Sequence, residues 1–238
     1  MTGTAIDTKA GILKALQDGL IVSVQPIDGG AMDRDEVVVA MASAAVDGGA
    51  QGLRIEGANR LAAVRAALPN TPIVGLVKRD FEEWPLRITA LMEDVHALAK
   101  AGADIIAIDG TDRPRPHSFA ELAKAAHDHG CLVMADLSTE QEADNCLRDG
   151  ADIIGTTMSG YTGEAPTPEE PDFPLLEAVA KKGGFVIAEG RFSTPDLCRA
   201  AIERGADCVT VGSALTRLEI MTQLFSNAVA AARKDHRP

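Results

Sequence analysis

Aromatic residues are scarce in this sequence, since Phe, Trp and Tyr together make up 3% of its 238 residues. Hydrophobic residues still reach 46%, so Ala, Val, Ile and Leu carry most of the apolar content. Small aliphatic side chains suit helices packed closely on a parallel sheet that is covered on both faces. The length falls within the usual range of one α/β barrel.

The sequence also has fewer basic residues than acidic residues. Lys and Arg number 23 against 35 Asp and Glu, which gives a formal net charge of −12. A surface this acidic repels phosphate backbones, so we expect no nucleic-acid partner. A small anionic substrate remains compatible, because its site needs only a local positive potential.

Long apolar runs and paired cysteines are absent from the sequence. No run approaches the roughly 20 residues that cross a bilayer, and the N-terminus lacks the charged and apolar regions of a signal peptide. The four cysteines form no CxxC pair: Cys131, Cys146, Cys198 and Cys208. We therefore expect a soluble, cytoplasmic protein with reduced thiols and no membrane contact.

Short apolar runs rich in β-branched residues recur along the chain and predict strands. They span 20–25, 52–56, 73–78, 104–109, 132–136, 152–156, 185–189 and 208–211. Helical spacing lies between them, at 37–47, 61–68, 88–101, 119–129, 140–149, 175–182, 196–204 and 214–232. Eight such alternations favour closure over an open doubly wound sheet. The sequence predicts a single-domain (β/α)8 TIM barrel over residues 1–238, with residues 1–18 as an N-terminal helix.

Residues 159–174 interrupt this pattern with four prolines and two glycines. A connection this long and proline-rich predicts a rigid loop over the barrel mouth. A surface insertion without a role is the alternative.

Polar residues end most of the predicted strands, which is where this fold carries its catalytic groups. Lys78 follows the apolar run 73–77, and Glu189 follows 186–188. Loss of solvation lowers the pKa of a lysine and raises that of a glutamate, so both are candidate proton carriers. A lysine that reaches the surface is the alternative. The other strand ends include Gln25, Arg54, Asp109 and Asp136.

Glycines follow the last two predicted strands, in Gly190-Arg191 and Gly212-Ser213. Glycine lets backbone N–H groups approach an anion, and loops after strands seven and eight are the usual phosphate position in these barrels. These four residues are predicted to bind phosphate, although turn formation alone explains part of the pattern. The Asp and Glu residues at the strand ends could hold a divalent metal, but no histidine stands there to complete a typical transition-metal set, and no GxGxxG or P-loop is present.

Several of these stretches together closely resemble one family, that of N-acetylmannosamine-6-phosphate 2-epimerase. They are LIVSVQP at 20–26, LRIEG at 53–57, PIVGLVKRD at 72–80, ADIIAIDGTDRPRP at 103–116, IIGTTMSGYT at 153–162, VIAEGRFSTP at 186–195 and VTVGSALTR at 209–217. The resemblance runs from the first strand to the last helix. It implies interconversion of N-acetylmannosamine 6-phosphate and N-acetylglucosamine 6-phosphate in amino-sugar and sialic acid catabolism, without redox cofactor or metal.

The resemblance also implies roles for individual residues. The lysine base falls on Lys78 and its acidic partner on Glu189. Substrate-binding residues fall on Gln25, Arg54, Asp109, Asp136 and Arg217, with phosphate near Gly190, Arg191, Gly212 and Ser213.

Several alternatives stay open at the level of sequence. The proton returned to carbon 2 comes from Glu189 or from a relay through another hydroxyl. Lys78 can instead form a Schiff base in an aldolase-like lyase, or the barrel can bind a sugar phosphate without catalysis. The apolar helix 214–232 suits a homodimer contact, and covering its own barrel explains it as readily.

Overall fold

The computed structural model describes residues 8–163 and 165–235 and confirms the predicted (β/α)8 barrel. The strands are all parallel and close in chain order, with the first strand paired to the second and to the eighth. They are β1 (Gly19–Val24), β2 (Gly52–Glu56), β3 (Ile73–Leu76), β4 (Ile105–Asp109), β5 (Leu132–Asp136), β6 (Ile153–Gly155), β7 (Phe185–Glu189) and β8 (Cys208–Val211).

One helix precedes the first strand, and the others follow the strands and surround the barrel. They are α1 (Lys9–Leu16), α2 (Asp35–Asp47), α3 (Ala58–Ala67), α4 (Met92–Ala101), α5 (Phe119–Asp128), α6 (Glu140–Arg148), α7 (Phe173–Val179), α8 (Pro195–Glu203), α9 (Ser213–Thr216) and α10 (Leu218–Asp235). Within the range 1–18, predicted as an N-terminal helix, the described residues form α1 over Lys9–Leu16, and residues 1–7 lie outside the described residues.

Alternation along each strand divides the core into two layers. In β4, Ile105 and Ala107 pack inside the barrel, whereas Ile106 and Ile108 pack outward against the helices. Leu16 of α1 belongs to the inner cluster, so this helix covers the amino-terminal end of the barrel. The opposite end, where the strands finish, is the end that carries the polar residues.

The largest differences between the predicted and observed elements are in two helices. The predicted helix 88–101 begins only at Met92, because Ile88 forms an antiparallel bridge with Lys78. Residues 77–91 therefore form a hairpin-like loop, called the β3 hairpin below. The predicted helix 214–232 is two helices, since Arg217 between them is non-helical (φ −110°, ψ 82°). That break lets the Arg217 side chain donate from Nε to the Gln25 carbonyl oxygen at 2.9 Å.

Candidate active site

A cavity of about 690 Å³ opens at the carboxyl-terminal end of the barrel, within the size range of small-molecule sites. Its wall comprises Ser23, Gln25, Arg54, Lys78, Asp80, Phe81, Trp84–Ile88, Arg113, Thr157, Met158, Tyr161, Glu189–Ser193, Thr210, Gly212–Ala214, Thr216 and Arg217. Nine of the eleven residues that the sequence singles out are in this set. Asp109 and Asp136 are buried outside it, at 1% and 0% exposure.

Strand alternation explains why the polar residues meet. Along β3 the inward positions are Val74 and Leu76, and the next inward position is Lys78. The same count along β7 runs from Ile187 to Glu189. A side chain two residues beyond an inward apolar residue points to the same face, so the strand ends deliver their polar groups into one space.

Arg54 forms the charged floor of this cavity. Its side chain is 1% exposed and crosses the barrel interior from β2, so that Nη2 lies 2.5 Å from Oδ2 of Asp136 on β5. Nε lies 3.2 Å from Oε1 of Glu189 on β7. Burial opposes the guanidinium charge, but the Asp136 and Glu189 carboxylates outweigh it and raise the pKa of Arg54. Arg54 is thus a fixed positive charge shared by two carboxylates.

Lys78 also lines this cavity, and its pKa is lowered. Loss of solvation is the largest cause, and the charges of Arg54 and Arg217 act in the same direction. Together they lower its pKa from 10.5 to about 8, even though the Glu189 carboxylate opposes the change. The backbone is held as well, since the amide of Lys78 donates to Glu56 Oε1 at 3.3 Å.

Glu189 shifts in the opposite direction. Burial raises the pKa of its carboxyl from 4.5 to about 7, aided by the Asp136 charge and opposed by Arg54 and Lys78. A lysine and a glutamate with pKa values of about 8 and about 7 both exchange protons near neutrality. Pairs of groups shifted in this way are typical of acid–base sites.

Unsatisfied polar atoms mark where a ligand would bind. Among the described residues, four buried side-chain atoms lack a hydrogen-bond partner: Gln25 Oε1, Arg54 Nε, Glu189 Oε2 and Thr210 Oγ1. All four residues line the cavity. Buried polar groups are rarely left unpaired in folded proteins, so their concentration at one cavity indicates a site that is completed by a polar ligand.

The predicted phosphate residues line one side of the cavity. Gly190 has φ +106°, a conformation that favours glycine, and it precedes Arg191. The Arg191 guanidinium is already engaged, because it donates to the carbonyl oxygens of Ser159 and Glu170. It also stacks over the Tyr161 ring at 5.6 Å. Arg191 therefore fastens part of the predicted mouth loop to the cavity rim.

Asp109 and Asp136 do not line the cavity, but both accept hydrogen bonds from side chains that do. Asp136 accepts from Arg54 and, at 2.6 Å, from the Thr157 hydroxyl. Asp109 accepts from Nη2 of Arg113 at 2.8 Å, and the Thr111 hydroxyl accepts from Nε of the same arginine at 2.9 Å. Each aspartate thus orients an arginine that lines the cavity.

The described residues contain neither a cluster suited to a metal ion nor a helix suited to a membrane. No group of three or more His, Cys, Asp or Glu side chains in this part of the chain is arranged to hold a metal ion. No helix within it is long and apolar enough to span a membrane.

Comparison with known proteins assigns the chain to a family. The family model described as "Putative N-acetylmannosamine-6-phosphate epimerase" matches residues 38–231. The chain belongs to this family. Relatives named "Putative N-acetylmannosamine-6-phosphate 2-epimerase" include one from Haemophilus influenzae, 54% identical over 93% of this chain and 96% of its own length. Another, from Aliivibrio fischeri, is 54% identical over 94% of each chain.

One solved structure supports the family assignment, and a second shows the same fold. The N-acetylmannosamine-6-phosphate 2-epimerase from Clostridium perfringens superimposes with a TM-score of 0.89 at 33% identity, covering 95% of this chain and 100% of that chain. Deoxyribose phosphate aldolase from Aeropyrum pernix, at 20% identity and a TM-score of 0.63, covers 93% of this chain and 100% of its own, and it shares the fold alone.

Two parts of the wall in this member of the epimerase family were not predicted from its sequence. Arg113 lies within the stretch GTDRPRP, but the strand-end rule selects Asp109 and passes over the arginine that Asp109 holds. The β3 hairpin contributes Phe81, Trp84 and their neighbours. The closely spaced Phe81 and Trp84, in a chain with few aromatic residues, were the sequence signal that could have identified this loop.

Proposed function

We propose that this chain epimerises N-acetylmannosamine 6-phosphate and N-acetylglucosamine 6-phosphate at carbon 2 by removing and returning one proton. Family membership supports the reaction. The observation that carries it is the placement of Lys78 and Glu189 around buried Arg54 at one cavity, with both pKa values moved toward neutrality. Catabolism of amino sugars, including sialic acid, is the context that we propose for this step.

Lys78 is the proposed base in the direction from N-acetylmannosamine 6-phosphate. Carbon 2 of the open-chain sugar is next to the aldehyde, so its proton is weakly acidic. With a pKa of about 8, about a quarter of the Lys78 side chains are neutral at pH 7.5. A neutral amine in a desolvated site can take this proton.

Arg54 is the proposed stabiliser of the enolate that forms. Negative charge develops on the oxygen of carbon 1, and a fixed guanidinium at the cavity floor lowers the energy of that charge. Nε of Arg54 lies 3.2 Å from Glu189 Oε1 but makes no hydrogen bond. Asp136 keeps this guanidinium in place through two Nη contacts, so little reorganisation is needed during the reaction.

Glu189 is the proposed donor of the returned proton. Its pKa of about 7 keeps a substantial protonated fraction at neutral pH. Inversion requires a donor on the face of carbon 2 opposite Lys78, and Glu189 stands on β7, across the barrel from β3. In the reverse direction the two residues exchange roles. A relay through a substrate hydroxyl is the alternative.

The remaining residues are proposed to hold the substrate. The backbone at Gly190, Arg191, Gly212 and Ser213 would receive the 6-phosphate, a small anionic partner compatible with local positive charge in an acidic protein. Gln25 and Arg217 would bind the sugar oxygens. Their supports are the hydrogen bond from Gln25 Nε2 to Ser23 at 2.7 Å and that from Arg217 Nε to the Gln25 carbonyl. Asp109 contributes through Arg113.

A direct assay tests the proposal. Wild type is incubated with N-acetylmannosamine 6-phosphate in deuterium oxide, and both epimers are followed by proton NMR. We expect N-acetylglucosamine 6-phosphate carrying deuterium at carbon 2, loss of epimerisation in Lys78→Ala and Glu189→Gln, and normal turnover in Lys124→Ala, whose side chain is exposed. Borohydride trapping of substrate on Lys78 would instead support the lyase, and binding without turnover would support a non-catalytic barrel.

A homodimer is also proposed, with α10 as its contact. This helix exposes four large apolar side chains, and Leu218, Leu224, Phe225 and Val229 are 64%, 58%, 70% and 58% exposed. Large exposed apolar surfaces of this kind are typical of protein interfaces. Light scattering after gel filtration should give the mass of two chains for wild type and of one for Phe225→Glu. A monomeric wild type would contradict the dimer.

A cytoplasmic location is proposed as well. All four cysteines are free, and Cys131, Cys146 and Cys208 are buried, which suits a reducing compartment. Cell fractionation with an antibody against the chain tests this location, and recovery outside the cytoplasm would contradict it.

A further inference from the structure

The β3 hairpin gives the cavity an apolar wall beside Lys78. Within 81–88 it presents Phe81, Trp84, Pro85, Leu86 and Ile88. The Phe81 and Trp84 rings pack edge to face, with centroids 5.6 Å apart and planes at 65°. Glu82 and Glu83 between the rings are exposed. Asp80 and Arg87 of the same loop also line the cavity, and they pair with each other at 2.8 Å. The reaction that we propose assigns no role to this wall.

The hairpin is fixed directly to the backbone of the lysine. Lys78 bridges Ile88, and the amide of Arg79 donates to the Arg87 carbonyl at 3.0 Å. Thr89, a 1% exposed residue with φ +42°, donates its amide to the Val77 carbonyl at 2.8 Å. A non-glycine residue at positive φ is uncommon and needs support from its surroundings. The apolar wall therefore keeps a defined position relative to the Lys78 amine.

The substrate geometry brings one particular group to this wall. The proposed phosphate loops follow β7 and β8, while Lys78 follows β3, on the other side of the eight-stranded ring. A sugar whose 6-phosphate lies at those loops therefore points carbon 2 toward Lys78. The acylated nitrogen is bonded to carbon 2 itself, so the acyl carbonyl and methyl extend from the atom that Lys78 must reach. Apolar side chains are the favoured environment for that methyl group.

We propose that Phe81 and Trp84 form the binding pocket for the N-acyl group and limit the length of the acyl chain that the enzyme accepts. This inference rests on the proposed epimerase function and adds the determinant of acyl specificity to it. Both rings are half-buried on the cavity wall, so their removal opens space there without touching the barrel core.

The test compares substrates that differ only in the acyl chain. The kcat/KM values for N-butanoylmannosamine 6-phosphate and N-acetylmannosamine 6-phosphate are measured for wild type, Trp84→Ala and Phe81→Ala. Because one methylene in an apolar pocket changes kcat/KM by about 10-fold or more, the butanoyl-to-acetyl ratio should rise at least about 10-fold in one or both variants. Tyr161→Ala is the matched control, since Tyr161 lines the same cavity but packs on Arg191. Its ratio should remain that of wild type.

Fluorescence provides a readout that does not depend on turnover. Trp84 is the single tryptophan of the chain, so its emission reports on the proposed pocket alone. Saturating N-acetylglucosamine 6-phosphate should shift the emission to shorter wavelength, and saturating glucosamine 6-phosphate, which lacks the acyl group, should shift it less.

The two experiments separate the two proposals. If wild type does not epimerise N-acetylmannosamine 6-phosphate, the proposed function fails. If wild type is active, an unchanged butanoyl-to-acetyl ratio in both hairpin variants overturns the acyl pocket. Equal emission shifts with the acylated and the unacylated sugar overturn it as well.

Discussion

The pH dependence of epimerisation follows from how many protons Lys78 and Glu189 share. In the proposed forward step Lys78 is neutral and Glu189 is protonated; in the reverse step Lys78 is protonated and Glu189 is ionised. Both states hold one proton between the two residues. Below the Glu189 pKa of about 7 the pair holds two protons, and above the Lys78 pKa of about 8 it holds none. We therefore expect a bell-shaped profile of kcat/KM, with the same limbs in both directions.

The pKa values give the size of the effect. With limbs at about 7 and about 8, the maximum lies near pH 7.5, and kcat/KM falls about 20-fold at pH 5.5 and at pH 9.5. The forward tautomer, with neutral Lys78 and protonated Glu189, is about one tenth of the one-proton population, because the two pKa values differ by about one unit. The acid limb also contains the second ionisation of the substrate phosphate, near pH 6, so the basic limb is the more diagnostic one.

Glu189→Gln isolates the lysine. The variant cannot return a proton from this side, but Lys78 can still exchange the carbon 2 hydrogen with deuterium from solvent. The Glu189 carboxylate raises the pKa of Lys78 in wild type, so its removal should lower that pKa below about 8. Exchange in the variant should rise along a single limb with a midpoint below that of the wild-type basic limb. Proton NMR in deuterium oxide from pH 5.5 to 9.5 measures both quantities.

Two results would refute this reasoning. A wild-type profile that reaches a plateau above pH 8 would mean that Glu189 does not need its proton, and the hydroxyl relay would be favoured. Exchange in Glu189→Gln that still rises steeply at pH 9.5 would mean that Lys78 is not desolvated. Lys124→Ala, measured in parallel, should reproduce the wild-type bell.

Further predictions concern the groups around the site. Asp136→Asn leaves the Arg54 charge buried without its main partner, and it should cost about 3–5 kcal/mol of unfolding free energy, or about 6 to 20 °C in calorimetric Tm; an unchanged Tm would contradict the ion pair. Asp109→Asn releases Arg113 and should raise KM more than it lowers kcat in steady-state assays, whereas an unchanged KM would remove Arg113 from substrate binding. Burial raises the pKa of every thiol, so a disulfide reagent at pH 8 should modify half-buried Cys198 first and the other three only after denaturation; rapid modification of all four would contradict it.

The barrel itself was predictable because strands and helices differ in the length and spacing of their apolar runs. The bounds of β2, β5, β7 and β8 agree with the predicted runs residue for residue. The β3 hairpin was not predictable in this way. Ile88 continues the apolar spacing of α4, and only its contact with Lys78 across the loop removes it from the helix. Pairing between distant residues is decided by tertiary structure, which local spacing does not record.

The candidate site was also only partly predictable from the sequence. The strand-end rule selected Gln25, Arg54, Lys78 and Glu189, and all four line one cavity because alternation fixes the face on which each lies. It does not distinguish a residue on the wall from one that supports it. Asp136 ends β5 at an inward position, yet it is fully buried behind Arg54. Side-chain length makes this difference, because an arginine that crosses the barrel covers a shorter aspartate.

The reactive state holds one proton between Lys78 and Glu189. Charge balance explains why this state is populated near neutral pH. Arg54 is positive and Asp136 pairs with it directly, so these two charges cancel at the cavity floor. Lys78 and Glu189 then determine the total: with one proton between them the four groups sum to zero, with two they sum to +1, and with none to −1. An uncompensated charge is costly in a buried site, so the one-proton state is favoured between the two pKa values of about 7 and about 8. Arg54→Met should break this balance by removing the positive charge. The remaining carboxylates would then hold protons more tightly, and the whole bell should move to higher pH.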